Sequence, residues 1–220
     1  MKRLSAIIIA NTLALSAIFG FPAKAEAQVA NADAIIGKVS QLYKQWSGID
    51  MKFTANIRSE KNNISESFEG TIIMKNDKFV LKTPDMMTWF DGKTQWIYMV
   101  RTKEVNLNTP SAGELRFLNP MMILQDYKKE FNVSYIGEST SSNAKIAYDI
   151  ALTPKKKDDI EKIELQIEKT TSLPSRLVVT MSNDIRSTIT IKEIKEIAPS
   201  QEIFTFPERD YPGVEIIDLR

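Results

Sequence analysis

Neither cysteine nor histidine occurs anywhere in the 220 residues. Without cysteine there is no disulfide, no thiolate metal site, no cysteine nucleophile and no lipid-modified cysteine behind a leader, so the chain is not expected to be a lipoprotein itself. Without histidine the usual general base and the commonest zinc ligand are gone, and any catalysis would have to run on carboxylates, lysine or serine. No metal and no cofactor is expected. A strong net charge is missing too: the formal charge is +1 at pH 7, which gives no broad electrostatic reason to bind nucleic acid. After residue 21 no run is long and apolar enough to span a bilayer. No repeat of solenoid period and no long linker is visible.

What is present begins with Lys2-Arg3, an apolar run over 4–21, and Ala23-Lys-Ala25 followed by Glu26-Ala27. This is the form of a secretory signal, with cleavage expected after Ala25 or Ala27. A single membrane anchor is the competing reading, against which Asn11, Thr12, Gly20 and Pro22 interrupt the run. Cleavage after Ala25 removes Lys2, Arg3 and Lys24, taking 29 basic residues to 26 against 28 acidic ones. The remainder, 26–220, is long enough for one sizeable core and is read as one domain.

Over 31–46, Ile35, Ile36, Val39, Leu42, Tyr43 and Trp46 fall at helical spacing, with Asn31 or Asp33 as cap and Gly48 as stop. From there the period changes to two. Met51, Phe53, Ala55 and Ile57 alternate with polar residues; Phe68, Gly70, Ile72 and Met74 share a face, as do Phe79 and Leu81. Turn residues separate these runs at Asn76-Asp77, Pro84-Asp85 and Asp91-Gly92. Alternation resumes at Ile146, Tyr148, Ile150 and Leu152, at Ile163, Leu165 and Ile167, at Leu177 and Val179, and at Ile185, Ile189 and Ile191. The sum is a mainly antiparallel sheet of many strands. Asn119-Pro120 predicts a short helix through 121–127. The three-residue spacing of Ile191, Ile194 and Ile197 fits a helix or a bulged strand, and Ser187-Thr-Ile-Thr-Ile191 leading into it favours a strand bulged near Lys192-Glu193. Such a sheet curves strongly, with the helices covering its concave face.

One segment stands out for bulk. Around Asp91-Gly92, read as a two-residue turn, Met87 pairs with Trp96, and Met87, Trp89, Trp96 and Tyr98 share one face; Phe90, Ile97 and Met99 take the other. Both faces must be covered by protein, or one covers a ligand. As plain core each of these residues is ordinary. As a set at a turn, with the flexible thioethers of Met121 and Met122 on the short helix, they suit acyl chains. The expected cavity lining is therefore Phe53, Ile72, Phe79, Met87, Trp89, Trp96 and Tyr98, under a lid formed by Met121, Met122 and Leu124.

Five segments carry a family resemblance in order: Gly70-Thr-Ile-Ile-Met-Lys-Asn-Asp-Lys-Phe79, Asp91-Gly-Lys-Thr-Gln-Trp-Ile-Tyr98, Asn119-Pro-Met-Met-Ile-Leu124, Leu152-Thr-Pro-Lys155, and Phe204-Thr-Phe-Pro207 with Gly213-Val214. Together they resemble the periplasmic LolA-type outer-membrane lipoprotein carrier proteins. The resemblance implies an incomplete, strongly curved antiparallel β-barrel of about eleven strands with a helical lid over an apolar cavity. It also implies a periplasmic monomer that shields lipoprotein acyl chains between an inner-membrane ABC transporter and an outer-membrane acceptor. Members of that family typically carry Arg-Pro after the strand matching 70–75, the arginine helping to hold the lid. Here Asn76-Asp77 stands in that place, so the latching arginine is missing from this position.

Other classes compete. A lipid-binding or lipid-sensing module on the same sheet would use the same concave face with other cargo. An enzyme would need a carboxylate pair such as Asp126 with Glu130, or Asp158 with Asp159. Placed on a helix surface or a loop tip, neither pair has an apolar environment to divide acid and base roles, so no catalysis is expected.

Overall fold

The first helical stripe becomes α1 (Ala23–Gln45) in the computed structural model, which describes residues 23–119 and 122–220. The expected leader, 1–25, falls almost wholly outside the described residues, and Met121 falls outside them as well. Because α1 begins eight positions before Asn31, that residue and Asp33 lie inside the helix and do not cap it. Asp33 still has a structural partner: its carbonyl accepts a hydrogen bond from the Tyr127 hydroxyl at 3.2 Å.

The alternation at Met51 becomes β1 (Ile49–Ser59), and the chain then folds back and forth through β2 (Ile64–Lys75), β3 (Lys78–Lys82), β4 (Met86–Phe90), β5 (Gln95–Met99) and β6 (Glu104–Asn108). Two short helices follow, α2 (Ala112–Leu118) and α3 (Ile123–Glu130). A second meander runs through β7 (Phe131–Thr140), β8 (Ile146–Pro154), β9 (Ile160–Glu168), β10 (Pro174–Met181) and β11 (Arg186–Glu196). Antiparallel pairing of β11 with β1 joins the two meanders. The last strand, β12 (Glu215–Asp218), lies parallel on β6, whereas the other neighbours are antiparallel. The sheet order is β12-β6-β5-β4-β3-β2-β1-β11-β10-β9-β8-β7, so β7 and β12 are edges and the barrel is not closed. The described residues thus form twelve strands against about eleven expected.

The bulge expected in β11 is present. Lys52 pairs with Glu193 and Phe53 with Ile191, which leaves Lys192 as the extra residue. That one insertion resets the alternation, so Ile189, Ile191 and Ile194 all reach the inner core despite their uneven spacing. Gly70 faces Phe53 across the β1–β2 ladder. A Cβ at Gly70 would lie 2.5 Å from the Phe53 ring, so the missing side chain is what lets that ring settle on the strand.

The inner face of the sheet carries the main core. Ile35, Ile36 and Val39 of α1 and Ile123, Leu124 and Tyr127 of α3 pack against strand residues including Ile72, Phe79, Leu152, Leu165 and Leu177. Each such side chain contributes about 1.5–3 kcal/mol when fully buried. An eight-residue helix such as α3 would not form alone, so this burial is what orders it. A second core sits on the opposite, outer face of β3–β6. There Val80, Trp89 and Val105 are covered by Phe204 and Phe206 from the C-terminal segment.

Candidate ligand cavity

Between α2 and the inner face lies a cavity of about 200 Å³. Its floor is set by the strand alternation: Phe53, Ala55 and Ile57 from β1, Phe68 from β2, Leu81 from β3, Met86 from β4, Val179 and Met181 from β10, and Ile189 from β11. Gly113, Arg116 and Leu118 of α2 lie across it. A smaller pocket of about 30 Å³ continues beneath Leu118, between Met51, Ile72, Leu177 and Ile191. These walls are mostly hydrocarbon, with Thr83, Ser187 and the charged groups at the rim as the polar exceptions, and they suit apolar chains.

The charges are gathered where α2 meets the strand loops. The Arg116 guanidinium bonds Glu130 at the end of α3 through Nη1, and its Nη2 lies 3.7 Å from Asp158 in the β8–β9 loop. Asp158 is itself oriented, its Oδ1 accepting from the Ile160 N–H at 3.1 Å. Lys155 reinforces the same junction, its N–H donating to the Glu130 carbonyl at 2.8 Å. One arginine thus ties the helix over the cavity to two neighbouring elements. Asp158 and Asp159, candidates for an acid and base pair, are instead rim residues of an apolar chamber, with Asp158 engaged by Arg116.

The structure separates the residues expected to line the cavity. Phe53 lines the main chamber and Ile72 the smaller pocket. Phe79 is fully buried in the inner core, its ring 5.6 Å from that of Phe90, and lines neither space. Met87, Trp89, Trp96 and Tyr98 do share a face, but it is the outer one. Trp89 meets Phe206 edge-on at 5.2 Å, Tyr98 lies 4.8 Å from Tyr211, and the Tyr211 hydroxyl donates to Met87 Sδ at 3.2 Å. Their placement in a cavity is therefore corrected: the C-terminal segment covers this face of the hairpin, and it is Met86 on the other face that borders the chamber. Alternation tells which residues travel together, not which side of the sheet becomes concave.

The hairpin register is corrected as well. Trp89 pairs with Trp96 and Met87 with Tyr98, because the connection is a four-residue loop, 91–94. The Asp91 carboxylate accepts from the N–H groups of Lys93 and Thr94 at 2.9 and 2.8 Å, which stabilises the longer turn. The slip is two residues, so face membership survived it.

Of the expected lid, Leu124 is 2 % exposed in the main core and Met122 is half-buried at the start of α3. Asn119 ends α2 and does not cap α3. The element over the chamber is α2, which the sequence reading missed. Its signal was available: Ser111 and Glu114 form a capping box, with the Ser111 N–H donating to Glu114 at 2.7 Å and the Glu114 N–H to Ser111 Oγ at 3.3 Å. Arg116 was missed with it. Asn76 occupies the β2–β3 turn at φ 57° and lines a further cavity of about 150 Å³ beside Asn119, Met122 and Leu124. The point of departure from the family pattern thus lies next to the α2–α3 junction.

Fold and cavity together define a class: an open β-barrel that encloses an apolar space beneath a helix. The sequence profile described as outer membrane lipoprotein carrier protein LolA matches residues 25–183, and the chain belongs to that family. No curated protein matches the chain significantly in sequence. Among solved structures, an uncharacterized conserved protein from Thermus thermophilus is similar in fold, with TM-score 0.53 and 12% identity over 86% of this chain and 99% of that one. A LolA superfamily protein from Nitrosomonas europaea gives TM-score 0.47 and 10% identity over 80% and 98% of the two chains. The Mycobacterium tuberculosis lipoprotein LppX gives 0.44 and 11% over 76% and 97%. Among the described residues no helix is long and apolar enough to cross a membrane.

Proposed function

We propose that the protein is a periplasmic carrier that shields lipoprotein acyl chains in its apolar cavity and shuttles lipoproteins from the inner to the outer membrane. In this reading a leader is removed after Ala25 or Ala27, and residues 26–220 act as one monomeric domain without catalysis. The carrier receives cargo from an inner-membrane ABC transporter and delivers it to an outer-membrane acceptor. Family membership supports the class, and one observation carries the reading: a hydrocarbon-walled chamber lies beneath a helix held at its rim by a single arginine.

Chamber size shapes the mechanism. About 200 Å³ is below the roughly 300–1,000 Å³ of typical ligand pockets, so several acyl chains require α2 to move outward. Each methylene withdrawn from water contributes about 0.8 kcal/mol, which is ample to drive that movement against one partly exposed ion-pair cluster worth about 1 kcal/mol. The same size favours a second reading, a lipid-binding or lipid-sensing module whose cargo is a single small chain.

The test is purification from the native envelope without detergent, followed by mass spectrometry of what remains bound, and then transfer to acceptor vesicles. Acylated lipoproteins that co-purify and transfer are the expected result. Free lipid alone would favour the sensing module. Absence of any bound lipid, together with no uptake of a fluorescent acyl probe, would overturn both.

A further inference from the structure

Three cavities lie in series along the inside of the sheet, and their ends differ in charge. The 200 Å³ chamber shares Leu118 with the 30 Å³ pocket, which shares Asn119 with the 150 Å³ cavity at the end of α1. The last turn of α2 is thus the waist between an apolar space and a more polar one. Taken in series the three fall within the roughly 300–1,000 Å³ of ordinary ligand sites.

The polar end has unmet demands. Tyr43 Oη and Asn119 Oδ1 both line it, both are buried, and neither has a hydrogen-bond partner among the described residues. Asn119 as a whole is only 2 % exposed. Buried polar groups are nearly always paired, so two orphans in one cavity mark a place for a polar ligand. Exposed Lys44 also lines this cavity and has no ion-pair partner among the described residues, and no acidic residue belongs to the described lining. At the other end Arg116 is matched by Asp158, Asp159 and Glu130, an acidic balance that disfavours an anion.

We propose that the three cavities form one site for a single-chain amphiphile with an anionic oxygen head, either carboxylate or phosphate. The head lies against Tyr43, Asn119 and Lys44, and the chain passes Leu118 into the apolar chamber. The Tyr43 hydroxyl and the Lys44 ammonium donate to the head, and a singly protonated phosphate head also donates its remaining hydroxyl to Asn119 Oδ1. This deepens the carrier reading and rests on it, since the chamber must accept an acyl chain.

Calorimetry on the protein with dodecanoate, dodecyl phosphate, methyl dodecanoate and inorganic phosphate tests the idea. Both anionic amphiphiles should bind at least tenfold more tightly than the ester. Tyr43→Phe, which deletes only one oxygen, and the surface variant Lys44→Gln should each cut that preference several-fold, with a smaller loss of ester binding. Equal affinity for acid and ester would overturn the head site while sparing the carrier reading. Inorganic phosphate binding as tightly as dodecyl phosphate would reduce the site to an anion pocket unconnected with the chamber, also overturning the proposal. No binding of any chain would remove the carrier reading itself.

Discussion

The two faces of strands β3–β6 are built from the same alternating pattern and end as opposites. On the outer face, Trp89 and Tyr98 meet Phe206 and Tyr211 ring against ring, with Trp96 packed on the same cluster and Phe204 fully buried in it. On the inner face, Leu81 and Met86 meet Phe53, Phe68 and aliphatic side chains from neighbouring strands, and space is left over. Rings occur on both faces, and what makes the outer one solid is the C-terminal segment that covers it. A cavity arises where flat rings and small groups leave a gap that Arg116 and Leu118 of α2 border without filling, as where Gly70 lets Phe53 lie back.

The outer face of the second meander solves the same problem differently. In place of a covering segment, Gln166 donates to Ser139 Oγ at 2.7 Å and accepts from Ser175 Oγ at 2.9 Å. Glu168 accepts from Lys145 at 2.8 Å, Asn143 at 3.2 Å and Thr171 at 3.1 Å. One half of the outer face is thus closed by rings, the other by a buried polar set.

The largest break in this comparison should come from Trp89→Ala. Truncating a Trp that is 4 % exposed should cost about 3–5 kcal/mol in urea unfolding, with acyl-probe affinity per folded molecule unchanged. A selective loss of probe affinity at full stability would mean that the outer face binds ligand after all. Gly70→Ala attacks the other side: its Cβ must displace the Phe53 ring toward the chamber. Destabilisation of about 1–3 kcal/mol is expected, together with weaker probe binding, and calorimetry on the folded variant reads the second effect separately.

Acid tests the polar half. Burial alone would raise the Glu168 pKa, but hydrogen bonds from Lys145, Asn143 and Thr171 outweigh it and hold the carboxyl below its ordinary value. A folded pKa below the unfolded one stabilises fully above about pH 4.3 and is lost as pH falls through the depressed value. Glu168→Gln should therefore cost about 1–2 kcal/mol at pH 7 and nearly nothing once acid has protonated the wild-type carboxyl. A cost that stays constant with pH would show that packing, not charge, is responsible. The smallest effect belongs to the rim. Arg116→Gln should destabilise the whole protein by about 1 kcal/mol or less, yet hydrogen exchange across α2 should speed up several-fold while the central strands keep their protection.

Much of the sheet was legible because a strand reports its own period. The alternations at Met51, Ile150 and Ile163 lie within β1, β8 and β9, and the uneven Ile191–Ile194 spacing correctly marked the β11 bulge. Even the hairpin kept its grouping of Met87, Trp89, Trp96 and Tyr98 through a two-residue slip, since faces repeat every second residue. The short α2 was readable from Ser111 and Glu114, though Gly113 inside it weakens the helical pattern.

Sequence by itself thus determined most of the strands, though not β6, β7 or β12, together with the α1 stripe and which side chains travel together, because those follow from local periodicity. Tertiary structure alone decided which face is inside. The cover for Trp89 comes from Phe206 and Tyr211, far along the chain, and the cavity wall joins β1 to β10 and β11 across a single ladder. Likewise, nothing local brings Arg116 to Asp158, or Tyr43 to Asn119. Those meetings depend on how a curved sheet closes around its helices, a property of the packed whole that no local periodicity encodes.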